Sequence, residues 1–156
     1  MVKWHEIYDA DLTGMMTVTN NKKIMRYNNS CAFDIETTSI TIGEVKHGFM
    51  YIWMFGIEDV VYYGRTWEEF LQFCDVLSSR LDLDQEKRLV IYVHNLQFEF
   101  QFIYKLFKWS KVFSLKSRRP IYAITEEGLE FRCSYLLSGL SLAKVGDNLI
   151  KHDLKK

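Results

Sequence analysis

The sequence predicts an α/β protein built on a mixed sheet with flanking helices. Three observations point there. Strand-sized apolar runs at 30–36, 49–55 and 60–63 follow one another early in the chain. A helix with its own start signal comes next, over 67–81. Then an apolar strand, 89–93, runs directly into a second helix, and a strand hairpin follows. Strands and helices in this alternation build sheets whose helices lie on the faces.

The elements can be justified in order. Residues 1–29 are mixed in character and read as an N-terminal extension that packs on the core or is loosely held. Within them Thr17–Met25 reads as a hairpin turning at Asn20-Asn21. The strand at 30–36, Ser30-Cys31-Ala32-Phe33-Asp34-Ile35-Glu36, alternates apolar and polar residues towards its end. With Phe49–Phe55 and Val60–Tyr63 it forms an antiparallel meander, the last two strands being joined by a turn at Gly56-Ile57-Glu58-Asp59. Thr66 followed by Glu69 is a capping-box signature, so the helix starts at Trp67. Phe70, Leu71, Cys74 and Leu77 recur at helical spacing as its buried face. A charged connection, 81–88, leads to the buried strand Leu89–Val93 and the helix Gln97–Leu106. That helix carries Phe98, Phe102 and Leu106 on one stripe, with Phe100, Ile103 and Phe107 beside it, and should be covered on more than one side. Strands follow at Val112–Lys116, Ile121–Thr125 and Leu129–Cys133, then a loop over 135–140 and a short helix over 142–150 with a basic tail. The implied organisation is an extension (1–29), a core (30–134) and a helical, basic tail (135–156).

Composition bounds the function classes. The 156 residues suit one domain, and 48% apolar with 15% aromatic residues fill a real core. No apolar stretch is long enough for a membrane helix, and the first residues do not form a signal peptide. Twenty basic and 20 acidic residues cancel, which argues against tight nonspecific duplex binding. Cys31, Cys74 and Cys133 form no C-x-x-C pair and read as buried free thiols of a reducing cytoplasm. The histidines are scattered and no zinc motif occurs.

Two constellations carry chemistry. Asp34 and Glu36 lie two apart on a strand and so point to one face. Paired carboxylates repel, the more so when partly buried, and a hard divalent cation relieves this. A strand end with two solvated acids is the plainer alternative. The second is Tyr92-Val93-His94-Asn95-Leu96-Gln97-Phe98-Glu99, where a strand meets a helix and Glu99 falls on the helix's first turn, where the dipole favours an anion. Alone, Asn95 reads as a turn or cap residue and Glu99 as a solvated acid.

Together, Phe33-Asp34-Ile35-Glu36-Thr37-Thr38 and Tyr92–Glu99 resemble the first two motifs of the 3′–5′ proofreading exonuclease domain of protein-primed family-B DNA polymerases of phages and linear plasmids. The segment Ser134–Leu142 also resembles the stretch after that domain's hairpin. The resemblance implies a ribonuclease-H-like sheet with the first strand central and the fourth beside it. It implies Asp34, Glu36 and Glu99 as catalytic metal ligands for Mg²⁺ or Mn²⁺ in a two-metal site. It implies Thr37, Asn95 and Phe98 as contacts to the 3′ end of single-stranded DNA, in a bacterial host cytoplasm.

Two departures qualify it. The second-motif acid of the family is aspartate, whereas here it is Glu99, one methylene longer. The third motif, Y-x-x-x-D, does not occur between Tyr135 and Lys156, so the fold is expected to be incomplete at its C-terminus and one ligand short. Three readings follow: an exonuclease portion, active or inactive; a catalytically silent exonuclease fold of a phage or mobile element that binds and regulates a host or phage protein; or a piece of a longer polymerase. Arg118 and Arg119 beside Pro120, and Lys151, Lys155 and Lys156, are basic groups that suit a phosphate backbone or simply a solvated turn and tail. Tyr62, Tyr63, Tyr92, Tyr104 and Trp109 read as core or half-buried strand residues.

Overall fold

The computed structural model describes residues 1–19 and 23–153. Among these, ten strands form a single mixed sheet. They are β1 (Val2–Lys3), β2 (Thr17–Thr19), β3 (Met25–Tyr27), β4 (Cys31–Ile42), β5 (Val45–Ile57), β6 (Val60–Gly64), β7 (Lys87–Val93), β8 (Trp109–Lys116), β9 (Arg119–Thr125) and β10 (Leu129–Cys133). The helices are α1 (Trp67–Arg80), α2 (Leu96–Ile103), a single turn α3 (Tyr135–Ser138) and α4 (Leu142–Asp153). The order across the sheet is β1-β6-β5-β4-β7-β10-β9-β8. Thus β4 is interior, antiparallel to β5 and parallel to β7. The β2–β3 ribbon lies beside β7 on the edge that β4 occupies farther along. The Asn20-Asn21 turn lies outside the described residues, as do Lys155, Lys156 and the side chain of Lys151.

Alternation on β4 sorts its residues. Cys31, Phe33 and Ile35 are buried, while Ala32, Asp34 and Glu36 are exposed on the other face. The buried set meets α1. Phe33 stacks on Phe70 with centroids 4.7 Å apart, and Trp53, Phe55 and Tyr62 each lie 5.0–5.3 Å from Phe73. Phe73 is wholly buried and Leu71 only half-buried, so the helix turns its core face slightly away from the expected stripe. The Thr66–Glu69 capping box forms, and the Trp53 indole N–H donates to the Thr66 carbonyl at 3.0 Å, tying the helix start to the sheet. The N-terminal extension is part of the core: Ile7 is wholly buried, and Arg80 Nη1 donates to its carbonyl at 2.7 Å.

Several boundaries differ from the sequence reading, each for a local reason. β4 and β5 run on past the core as a long ribbon, because Thr37–Ile42 is rich in β-branched residues and Gly43 supplies the left-handed turn (φ +64°). α2 stops at Ile103, and the Tyr104 carbonyl beyond it accepts from the Trp109 indole at 2.8 Å. Residues 135–138, expected as loop, form a helical turn closed by Gly139 in the left-handed region. Tyr92 and Tyr104, expected to be core or half-buried, are exposed. All three cysteines are free and buried, and burial pushes the Cys31 thiol up to about 12. Among the described residues no helix is long and apolar enough to cross a membrane.

Candidate metal-binding acid pair

Glu99 is the anomaly that defines the site. Glutamate is rarely buried without a partner, yet Glu99 is 4% exposed and its Oε2 has no hydrogen-bond partner. The cause is local. Leu96 and Ile103 of α2 are wholly buried, so the helix face that carries residue 99 between them is drawn into the core. Burial pushes the Glu99 carboxyl up to about 7. The charge of Asp34, and its position within hydrogen-bonding reach, push the same way, against a hydrogen bond from the Glu99 amide. With both groups ionised, two carboxylates lie side by side and Glu99 Oε2 has no donor among the described residues. A proton or a cation resolves that, and an orphaned carboxylate oxygen beside a second carboxylate is a fitting donor set for a hard divalent ion.

An interior strand and a strand-to-helix turn hold the pair. Asp34 projects from interior β4, whose next neighbour is β7, joined through Ala32 and Tyr92. β7 delivers Asn95, which starts α2 in the left-handed region at φ 64°, ψ 57°. Asparagine accepts that conformation more readily than most residues. Although Asn95 occupies the cap position, its side chain makes no capping bond and stays exposed. The preceding turn is pinned: His94 Nδ1 lies 3.2 Å from Ser134 Oγ, its ring meets Tyr135 edge-on, and the Ser134 amide donates to the Val93 carbonyl at 2.9 Å.

The other sequence candidates fall around this pair. Glu36 is exposed on the same face as Asp34, next to a bulge between Glu36 and Thr37. Such bulges re-aim side chains. Thr37 is half-buried opposite Met50. Phe98 is 39% exposed, and its ring is tilted against that of Phe102, with centroids 5.5 Å apart. The chain thus brings Asp34 and Glu99 together, while among the described residues no three His, Cys, Asp or Glu side chains gather closely enough to hold a metal ion.

No protein-family model, curated protein or solved structure matches this chain.

One group of charged residues was invisible in the sequence. Arg26, Arg88 and Arg132 converge on buried Glu130 from three strands. Residues 26 and 130 are 104 apart in the chain, and only the β3–β7–β10 pairing brings them together. The turn at Arg118, by contrast, is exposed, with Arg118 itself left-handed (φ 61°).

Proposed function

We propose that this chain is a ribonuclease-H-like fold of the proofreading-exonuclease type. In this reading Asp34 and Glu99 hold a divalent cation, Glu36 lies two residues along the same strand face from Asp34, and the site acts on the 3′ end of single-stranded DNA. The supporting observation is the orphaned Glu99 oxygen held against Asp34 in the core. A Mg²⁺ or Mn²⁺ ion bound there supplies positive charge for the phosphate oxygens and acidifies a water. The chain's residues do the rest. Exposed Asp34 and buried Glu99 would hold the ion. The uncommitted Asn95 side-chain amide and the Thr37 hydroxyl suit sugar or phosphate oxygens, and the part-exposed Phe98 ring suits a terminal base. The order of the central strands, with β4 interior and parallel to β7, is consistent with this reading.

The test is calorimetry with Mn²⁺ near pH 8 on the wild type and Asp34→Ala, beside a gel assay on 5′-labelled single-stranded DNA. Wild type is expected to bind the ion and Asp34→Ala to lose it. Saturation at one hundred times Kd should stabilise the fold by about 2.7 kcal/mol. Absence of Mn²⁺ binding by wild type would remove the basis of the reading. A second reading, a catalytically silent fold that binds a host or phage protein, is favoured by the lack of a third metal-ligating group close to the pair among the described residues. Ion binding without any metal-dependent DNA ladder would favour it.

A further inference from the structure

On the sheet face that carries Asp34, a groove of about 670 Å³ lies over β7, β10 and β9. Arg26, Arg88, Arg132 and Lys111 line it, and Glu130 is its acid. Four cations against one carboxylate leave a strong local excess in a chain whose formal net charge is +0.

The cluster holds more donors than its carboxylate needs. Glu130 is 2% exposed and accepts from Arg26 Nε at 3.1 Å, Arg88 Nη1 at 3.2 Å and Arg132 Nε at 2.9 Å. Arg132 Nη2 also approaches it, at 2.6 Å. Burial would raise this carboxyl, but the Arg26 hydrogen bond and the charges of Arg132 and Arg26 hold it below its ordinary value. One arginine would neutralise one buried carboxylate. Three bring about fifteen N–H donors to roughly four acceptor sites. Arg26 Nη1, Arg88 Nη2 and Arg132 Nη1 make no hydrogen bond among the described residues. Glu130 therefore fixes three guanidinium groups whose remaining donors are open to an anion, and Arg forks match phosphate oxygens.

Aromatic faces lie in the same row. Phe113 pairs with Tyr122, Tyr122 with Arg132, Arg132 with Tyr92, and Tyr92 with Ala32, one transverse line over five strands. Paired residues share a face. Phe113 and Tyr122 stack with centroids 5.3 Å apart, and Tyr92 is 37% exposed. The line ends two residues before Asp34. By strand geometry, Arg132 and Asp34 backbones are roughly 12 Å apart. A second hollow of about 350 Å³ shares Arg26, Tyr92 and Arg132 with the first.

We infer that this groove binds the phosphodiester backbone of single-stranded nucleic acid, with the guanidinium groups on phosphates and the exposed Tyr92 ring on an unpaired base. A duplex offers that ring no free base face, whereas a single strand does. The inference goes beyond the proposed activity, because binding needs neither the cation nor hydrolysis.

The experiment is fluorescence anisotropy with labelled oligothymidylate in EDTA, across a salt series. Lys111 is exposed, so Lys111→Ala leaves the fold intact. It should weaken binding roughly five-fold at 0.1 M salt and reduce the log–log salt slope by about 0.7, the effect of one lost phosphate contact on a single strand. Arg132→Gln should do at least as much. A blunt duplex should bind more weakly than the single strand, and polyglutamate of equal charge should not displace it. The inference is overturned if Lys111→Ala leaves affinity and slope unchanged, if the duplex binds as tightly, or if polyglutamate competes equally. A chain that binds Mn²⁺ but no oligothymidylate overturns the groove while leaving the acid-pair reading intact.

Discussion

Glu99→Gln gives the sharpest test of the buried acid pair. Glutamine keeps the shape of the protonated glutamic acid, donates to Asp34 through its amide, and never ionises. In the unfolded chain Glu99 titrates near 4.5; in the fold it is pushed up to about 7. Below the lower value both states hold the proton, and wild type and variant should be nearly equal in stability. As pH rises through this window the unfolded chain releases its proton while the folded one keeps it, so wild-type stability falls. Above 7 the folded carboxyl ionises beside Asp34, and the loss is complete. The difference between the two values corresponds to about 3 kcal/mol. Glutamine escapes that loss. At pH 8 the variant should therefore exceed the wild type by about 3 kcal/mol, or roughly 6–12 °C in Tm for a domain of this size. Thermal melts in EDTA from pH 4.5 to 8 measure it. Mn²⁺ at pH 8 should narrow the gap by stabilising wild type alone. Parallel curves for the two proteins, with no gain for glutamine at high pH, would refute the burial of an ionisable Glu99 against Asp34.

Three further outcomes follow from packing and charge. A methyl group on Gly64 would stand 2.5 Å from the wholly buried Trp53 ring, so Gly64→Ala should destabilise by about 1–3 kcal/mol in urea unfolding, with intrinsic tryptophan fluorescence reporting a shifted indole. Thr66→Ala removes the capping oxygen that accepts from the Glu69 amide at 3.2 Å and should lower stability by about 1 kcal/mol in the same assay. Glu130→Gln leaves three arginines around a neutral group; because Glu130 is held ionised below its ordinary range, its stabilisation is present at neutral pH and lost in acid, so the variant should be weaker by about 3 kcal/mol at pH 7 and converge with wild type as pH falls through the carboxylate range in thermal melts.

Local signals explain what was legible. The Thr66 cap, the helix it starts, and the strands expected at 60–63, 89–93 and 129–133 all carry their information within a few residues, and each forms within two residues of the expected bounds. Free, buried cysteines followed from spacing alone. What escaped depends on distant partners. The depth of Glu99 is set by Leu96 and Ile103 settling into the core, which a single acid on a helix does not announce. The arginine cluster needs β3, β7 and β10 side by side, and no window of sequence contains it. The exposure of Tyr92 depends on which face of β7 is left open, and strand propensity is silent on that. The β4–β5 ribbon is a different case: its β-branched run and its glycine turn were both present in the sequence.

The same alternation that builds the core places the acids. On β4 the inward residues Phe33 and Ile35 are held by the stack on Phe70 and by the buried strands on either side. A slip of one residue would turn Asp34 and Glu36 into that aromatic layer and Phe33 into water. Burying two carboxylates without partners and exposing a phenylalanine together cost far more than any plausible gain. The register of β4 is therefore fixed by hydrophobic packing, and the position of Asp34 follows from it. Glu99 arrives by an independent route, through the Asn95 turn and the buried side of α2. Its depth leaves one oxygen of the ionised carboxyl without a hydrogen-bond partner, beside Asp34. The fold thus creates at one point an electrostatic deficit that its own described residues do not fill, and it does so by the packing that stabilises it elsewhere. A cation at that point would couple occupancy to folding, because the ion would remove a penalty that the core itself imposes.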